Sequence, residues 1–351
     1  MTLYTRWLAL IVLALSASLA TAAPASALQV RLSATSPVLR GDVDVIVTVE
    51  VINTSRHPVN LLRWQLPGDE LEGALFRITR DGERVAYTGP LIKRAAPAPA
   101  DRLRLEAGAT LRYEVELTGA YDLSRNGRYA VEFLSRGHHG ASAWAAGSLR
   151  SDPLYLWLES RSAKASIDKK TTPPPPGPGL NYAGNCSASQ QTMLQTAFAA
   201  AKVYAEGAAA YYPSSTIPAA TARYTTWFGS VTNVRWATAA VQFTAIRNAF
   251  ASQRVTLDCK CRKPSIYAYV YPDQPYTIYL CGAFWSAPVT GTDSRAGTLI
   301  HEMSHFNAVA GTDDWVYGQA GAMALAVTDP DKALNNADSH EYFAENTPAQ
   351  P

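Results

Sequence analysis

Charge is scarce in this sequence. Asp, Glu, Lys and Arg make up 17% of the 351 residues, and the net charge is only +2. Phosphate binding wants a strongly basic face, so nucleic acid is not an expected partner. Long apolar runs are scarce as well. After the N-terminal leader-like segment no stretch approaches the about 20 apolar residues that spanning a bilayer takes, so no membrane span is expected. Cysteine is missing until Cys186, which excludes an antibody-type core disulfide from the first half. Hydrophobic residues at 47% still allow a real core, and the length suits two domains.

Residues 1–27 have the layout of an export signal. Arg6 gives a positive start, Leu8 to Leu15 an apolar stretch, and Ala25-Ser26-Ala27 an A-x-A cleavage site. The mature protein is therefore expected outside the cell. The four cysteines, Cys186, Cys259, Cys261 and Cys281, are an even number in an exported chain, which predicts two disulfides. Cys259 and Cys261 point opposite ways if extended, so each is expected to bridge elsewhere.

Residues 28–160 read as strands. Val43 to Val51 alternates apolar and polar, as a half-buried strand does. Similar runs are 74–79, 103–105, 111–117, 129–133 and 154–158, separated by turn signals such as Asp81-Gly82 and Asn126-Gly127. The pattern predicts an antiparallel, immunoglobulin-like β-sandwich. Residues 161–180 break it with Lys164, Lys169 and Lys170, then Pro173 to Pro176. This is an extended, protease-accessible linker and the predicted domain boundary. Residues 181–351 read as mainly helical. Helices are expected over 189–211, over 236–250 and from Thr298 onward, with a small sheet or hairpin over 266–280.

The chemistry sits in His301-Glu302-Met303-Ser304-His305, an H-E-x-x-H. On a helix the two imidazoles lie one turn apart on one face and can share a metal ion. Glu302 between them can accept a proton from a metal-activated water attacking a peptide carbonyl. Leu299, Ile300 and Phe306 would bury this helix. A third ligand is needed. The position six residues beyond His305, where one large class of zinc proteases places a histidine, is Gly311. Glu341 or Glu345, far downstream, is one option. The other is an aspartate in Gly311-Thr312-Asp313-Asp314-Trp315-Val316-Tyr317-Gly318.

That second segment fits G-T-x-D-x-x-Y-G. Paired with H-E-x-x-H, it resembles the aspzincins, the deuterolysin-like zinc metalloendopeptidases, over Cys186 to Asn346. The resemblance implies one catalytic zinc ion held by His301, His305 and Asp314, with Asp313 at a variable position. It makes Glu302 the base and Tyr317 the stabiliser of the oxyanion. The run Asn336-Ala337-Asp338-Ser339-His340-Glu341-Tyr342-Phe343 resembles the peptidyl-Lys subgroup. There Asp338 would line the pocket for the residue just after the cut bond and select a lysine ammonium. The other reading of Asp338 is a helix cap. His340 is expected to pack or to face solvent. The subgroup also implies the pairs Cys186–Cys259 and Cys261–Cys281.

The whole layout resembles two-part precursors of secreted bacterial aspzincins, some of them toxic. This implies that residues 28–160 form a propeptide. An enzyme cutting before lysine could process itself at Lys164, Lys169 or Lys170, and a linker lysine could fill its specificity pocket beforehand. The N-terminal domain is then an intramolecular inhibitor, and proteins or peptides are the substrates. The alternatives are solvated linker lysines, a sandwich that stays attached as a binding module, and a non-enzymatic adhesion protein with a degenerate site.

Overall fold

The computed structural model describes residues 27–68, 70–135, 148–162, 177–212, 217 and 221–351. The leader over 1–26 and the linker lysines Lys164, Lys169 and Lys170 lie outside the described residues.

The N-terminal half is β-rich. Its strands are β1 (Leu28–Ser33), β2 (Val38–Arg40), β3 (Ile46–Asn53), β4 (Val59–Leu62), β5 (Phe76–Arg80) and β6 (Glu83–Val85). They continue with β7 (Leu91–Arg94), β8 (Arg102–Leu105), β9 (Thr110–Glu116), β10 (Gly127–Ser135), β11 (Leu149–Arg150) and β12 (Leu154–Glu159). One sheet has the order β1-β3-β9 and another the order β2-β12-β10-β5-β6, with β11 paired to β10 and β4 to β8. Alternation decides which side chains go inward. Val47, Val49 and Val51 from β3 meet Phe76 and Ile78 from β5 and Tyr129, Val131 and Phe133 from β10 in one core. Tyr121 is buried in that core, and its hydroxyl donates to the Phe76 carbonyl at 2.9 Å.

The C-terminal half runs β13 (Gly179–Ala183), α1 (Ala188–Ala210), α2 (Ala222–Phe228), α3 (Asn233–Ser252), β14 (Arg254–Asp258), β15 (Ile266–Val270) and β16 (Thr277–Leu280). Then follow α4 (Gly282–Ser286), α5 (Arg295–His305), α6 (Gln319–Thr328), α7 (Pro330–Ala333) and α8 (Ala337–Glu345). Helix α1 starts where sequence chemistry says it should. Ser187 accepts from the Gln190 amide, and Gln190 reaches back to the Ser187 amide at 2.9 Å, a reciprocal cap. The expected hairpin over 266–280 is the antiparallel pair β15–β16. Disulfides join Cys186 to Cys259 and Cys261 to Cys281.

One strand crosses between the halves. The C-terminal sheet has the order β13-β14-β16-β15-β7. Its outermost strand, β7, comes from the N-terminal half and pairs antiparallel with β15, Ile92 opposite Tyr269 and Lys93 opposite Ala268. All four β7 residues are buried. The sequence pattern does not mark 91–94 as a strand, and its burial is entirely tertiary.

Candidate active site

Helix α5 carries both motif histidines and is buried over almost its whole length. Ser294 caps its start by accepting from the Gly297 amide at 2.9 Å, and Glu345 of α8 accepts from the Ser294 amide and hydroxyl. At the other end Gly311 takes φ +60°, a left-handed turn suited to glycine. The chain folds back there, so that the Thr312 amide donates to the Ser304 carbonyl at 3.1 Å. His305 Nδ1 lies 3.0 Å from the Thr312 carbonyl. That contact makes Nδ1 the donor and leaves Nε2 free to bind a metal.

The returning chain brings Asp314 to the histidines. His301 Nε2 and His305 Nε2 are 3.1 Å apart, and Asp314 Oδ1 lies 3.2 Å from the first and 3.4 Å from the second. A tetrahedral zinc ion with bonds of about 2.0–2.1 Å spaces its ligand atoms about 3.3 Å apart. The three spacings fit that ion, and Asp314 Oδ1 is buried without a hydrogen-bond donor. Against the effect of burial, His305 and His301 hold the Asp314 carboxyl well below the usual range. Asp313 turns away and accepts from the Asp314 amide at 2.9 Å. The downstream option for a third ligand does not fit. Glu341 approaches His301 at Nδ1, 3.4 Å away, on the opposite edge of the ring, and Glu345 caps α5.

Both Glu302 oxygens are buried with no hydrogen-bond partner. Burial pushes the carboxyl up to about 7, against the pull of His301 and His305. A buried carboxylate left unpaired beside two imidazoles is a base waiting for a proton donor. Tyr317 is 7% exposed. Its hydroxyl donates to the Ile92 carbonyl of β7 at 2.9 Å, and its ring meets Trp64 edge-on at 6.0 Å.

Beside the histidine–aspartate cluster is an acidic pocket. Asp338 on α8 is fully buried, its Oδ2 accepts from the Gly318 amide at 2.6 Å, and its Oδ1 lies 2.8 Å from His301 Nδ1. It is thus no plain helix cap: it holds the His301 ring from the Nδ1 side, leaving Nε2 toward Asp314. Glu341, one turn along α8, and Asp293 face the same space. An ammonium occupies it. Lys93 Nζ, with no solvent exposure, is 2.5 Å from Glu341, 3.5 Å from Asp293 and 3.6 Å from Asp338. Burial opposes its charge, but the three carboxylates outweigh burial and hold Lys93 well above its ordinary range. Among the described residues the ammonium in this pocket is that of Lys93, while the linker lysines lie outside them. Sequence reasoning missed Lys93, Glu341's place in the pocket, and Asp293. The spacing of Glu341 three residues after Asp338 on a helix was the available signal. His340 is buried against Phe228 and Phe243, and burial moves it down to about 4.

Comparison with known proteins agrees with this geometry. The family model for lysine-specific metallo-endopeptidases, the aspzincins, matches residues 214–345. An extracellular protease of Aeromonas hydrophila is 45% identical over 88% of this chain and 89% of its own. A peptidyl-Lys metalloendopeptidase of Grifola frondosa is 37% identical over 87% of this chain and 88% of its own. A solved zinc peptidase from Grifola frondosa, 52% identical, covers 47% of this chain and all of that one, at a TM-score of 0.45. With its two histidines and one aspartate converging at zinc spacing, the chain belongs to the aspzincin family and is a zinc metalloendopeptidase.

Proposed function

We propose that this protein is exported as a latent precursor and, once processed, cuts peptide bonds on the N-terminal side of lysine. One observation carries the lysine specificity. An acidic pocket formed by Asp338, Glu341 and Asp293 adjoins the histidine–aspartate cluster and already holds a buried ammonium. Burying a charge is tolerated only when it is paired, so a neutral side chain entering this pocket would leave carboxylates unpaired. Discrimination of that kind is large.

His301, His305 and Asp314 would hold the zinc ion, which supplies a Lewis acid that polarises the carbonyl and lowers the pKa of water. Glu302 takes the proton of the attacking water. Tyr317 donates its hydroxyl to the carbonyl oxygen as that oxygen becomes negative. The C–N bond then breaks, and the proton held on Glu302 passes to the amine of the lysine that leaves.

The leader over 1–27 supports export, and the Lys- and Pro-rich stretch over 161–180 supports processing. We read the N-terminal sheets as an immunoglobulin-type sandwich over 28–160 that acts as an intramolecular inhibitor. Linker cutting at Lys164, Lys169 or Lys170 would free a catalytic domain over 181–351.

The test is digestion of a denatured protein by the processed enzyme, with the new termini mapped by mass spectrometry. New N-termini dominated by lysine are expected. Glu302→Gln should lower the rate about 10²–10⁴-fold with zinc content unchanged. Cuts at unrelated residues would discard the lysine pocket. A secreted product that keeps its N-terminal half would favour the attached binding module.

A further inference from the structure

Strand β7 does more than close a sheet. It runs antiparallel to β15 along the edge of the C-terminal sheet, buried at every residue. Its backbone is read at two points by site residues. The Ile92 carbonyl accepts from the Tyr317 hydroxyl at 2.9 Å, and the Ile92 amide donates to Asp314 Oδ2 at 3.0 Å. One residue on, Lys93 drops its whole side chain into the pocket, passing beside the Tyr267 ring at 5.1 Å. This is the geometry a substrate needs here: a carbonyl at the oxyanion donor, followed at once by lysine.

We propose that Leu91–Arg94 is a built-in pseudosubstrate, with the Ile92–Lys93 peptide bond lying where the bond to be cut would lie and Lys93 acting as the lock residue. The inference rests on the protease reading above and adds the regulatory element of the same site. Neighbouring contacts hold the segment in place. Arg94 pairs with Glu72 at 2.6 Å, and Glu72 also pairs with Lys263 of the C-terminal half at 2.5 Å. Trp64, from the N-terminal half, lies against both Tyr317 and the Arg94 guanidinium. The segment therefore blocks the cleft by filling it, with β7 and Lys93 paying the role that substrate main chain and side chain would play. A cut at Ile92–Lys93 alone would not clear the cleft, because both flanks stay tied into the N-terminal sheets.

The experiment uses the full zinc-loaded precursor with Lys164, Lys169 and Lys170 changed to Ala, so that the linker stays whole. Hydrolysis of a short fluorogenic peptide containing one lysine is compared for Lys93 itself, Lys93→Met and Lys93→Arg. Lys93→Met should raise the rate at least tenfold over the parent, and Lys93→Arg should stay silent. A Lys93→Met precursor no faster than its parent would overturn the lock, provided digestion of the N-terminal half by an added protease unmasks lysine cleavage in both. Absence of lysine cleavage even then would instead overturn the protease specificity. A second measurement needs no Lys93 variant. In the Glu302→Gln precursor, brief acetylation should label Lys93 at least tenfold more slowly than exposed lysines such as Lys263. After the N-terminal half is unfolded, labelling should be equal. Equal labelling in the folded precursor would also overturn the proposal.

Discussion

His340 sits one residue from Glu341, yet its chemistry is separate. The ring is buried against Phe228 and Phe243, with Nδ1 3.0 Å from the Asn336 carbonyl and Nε2 3.1 Å from the Gln242 side chain. Burial lowers its pKa from 6.5 to about 4. Below 6.5 the unfolded chain binds a proton that the native state refuses until about 4. Stability is therefore fully present above pH 6.5 and is lost as pH falls toward 4, by about 3 kcal/mol at 1.4 kcal/mol per pKa unit. Urea unfolding at pH 7 and pH 4 checks this. His340→Gln should lose less stability over that interval than the parent, and an equal loss would show that His340 is not the group responsible.

Helices α5 and α8 are held close by a missing side chain. A methyl added at Gly297 would stand 2.0 Å from Glu345 Oε1 and 2.9 Å from Glu341 Oε1. Gly297→Ala must displace the Glu345 and Glu341 carboxylates from their places, at a cost of about 1–3 kcal/mol for overpacking. Because α8 carries Asp338 and Glu341, KM for lysine substrates should rise more than kcat falls. Unfolding curves and steady-state kinetics test both parts. These elements also divide by how readable they are. Helix α5 is legible from H-E-x-x-H with its apolar flanks, and α1 and α3 from their Ala-rich spacing. Strands β3 and β10 are legible from strict alternation. Strand β7 is not. Its sequence, Leu-Ile-Lys-Arg, is too short for a period, and its strand form is imposed by β15. The acidic pocket was half legible, since Asp338 is recognisable by motif but Asp293 arrives from a loop before α5. Asp314 was reachable through the G-T-x-D-x-x-Y-G resemblance, and Gly311 supplies the turn that brings it back.

At the scale of the molecule, the two largest hydrophobic cores among the described residues are joined by a shared sheet. One is built from the N-terminal strands and the other from helices packed on β13 to β16. Strand β7 belongs by chain to the first and by pairing to the second, so neither half can open without breaking contacts of the other. The intact chain should therefore unfold in one step. Tryptophan fluorescence, reporting both Trp64 and Trp157 in the N-terminal half and Trp227, Trp236 and Trp285 among the helices, should fall on the same melting curve as far-ultraviolet dichroism. Separate transitions would show that the shared strand does not couple the halves.

The outermost position of β7 has a consequence for whatever replaces it. Withdrawn, it leaves β15 with a bare row of amides and carbonyls, and such an edge accepts any extended peptide whatever its sequence. Grip along the cleft is then impersonal, supplied by main chain that every protein shares. Choice is concentrated in a single side chain, the one that must carry a positive charge down to Glu341.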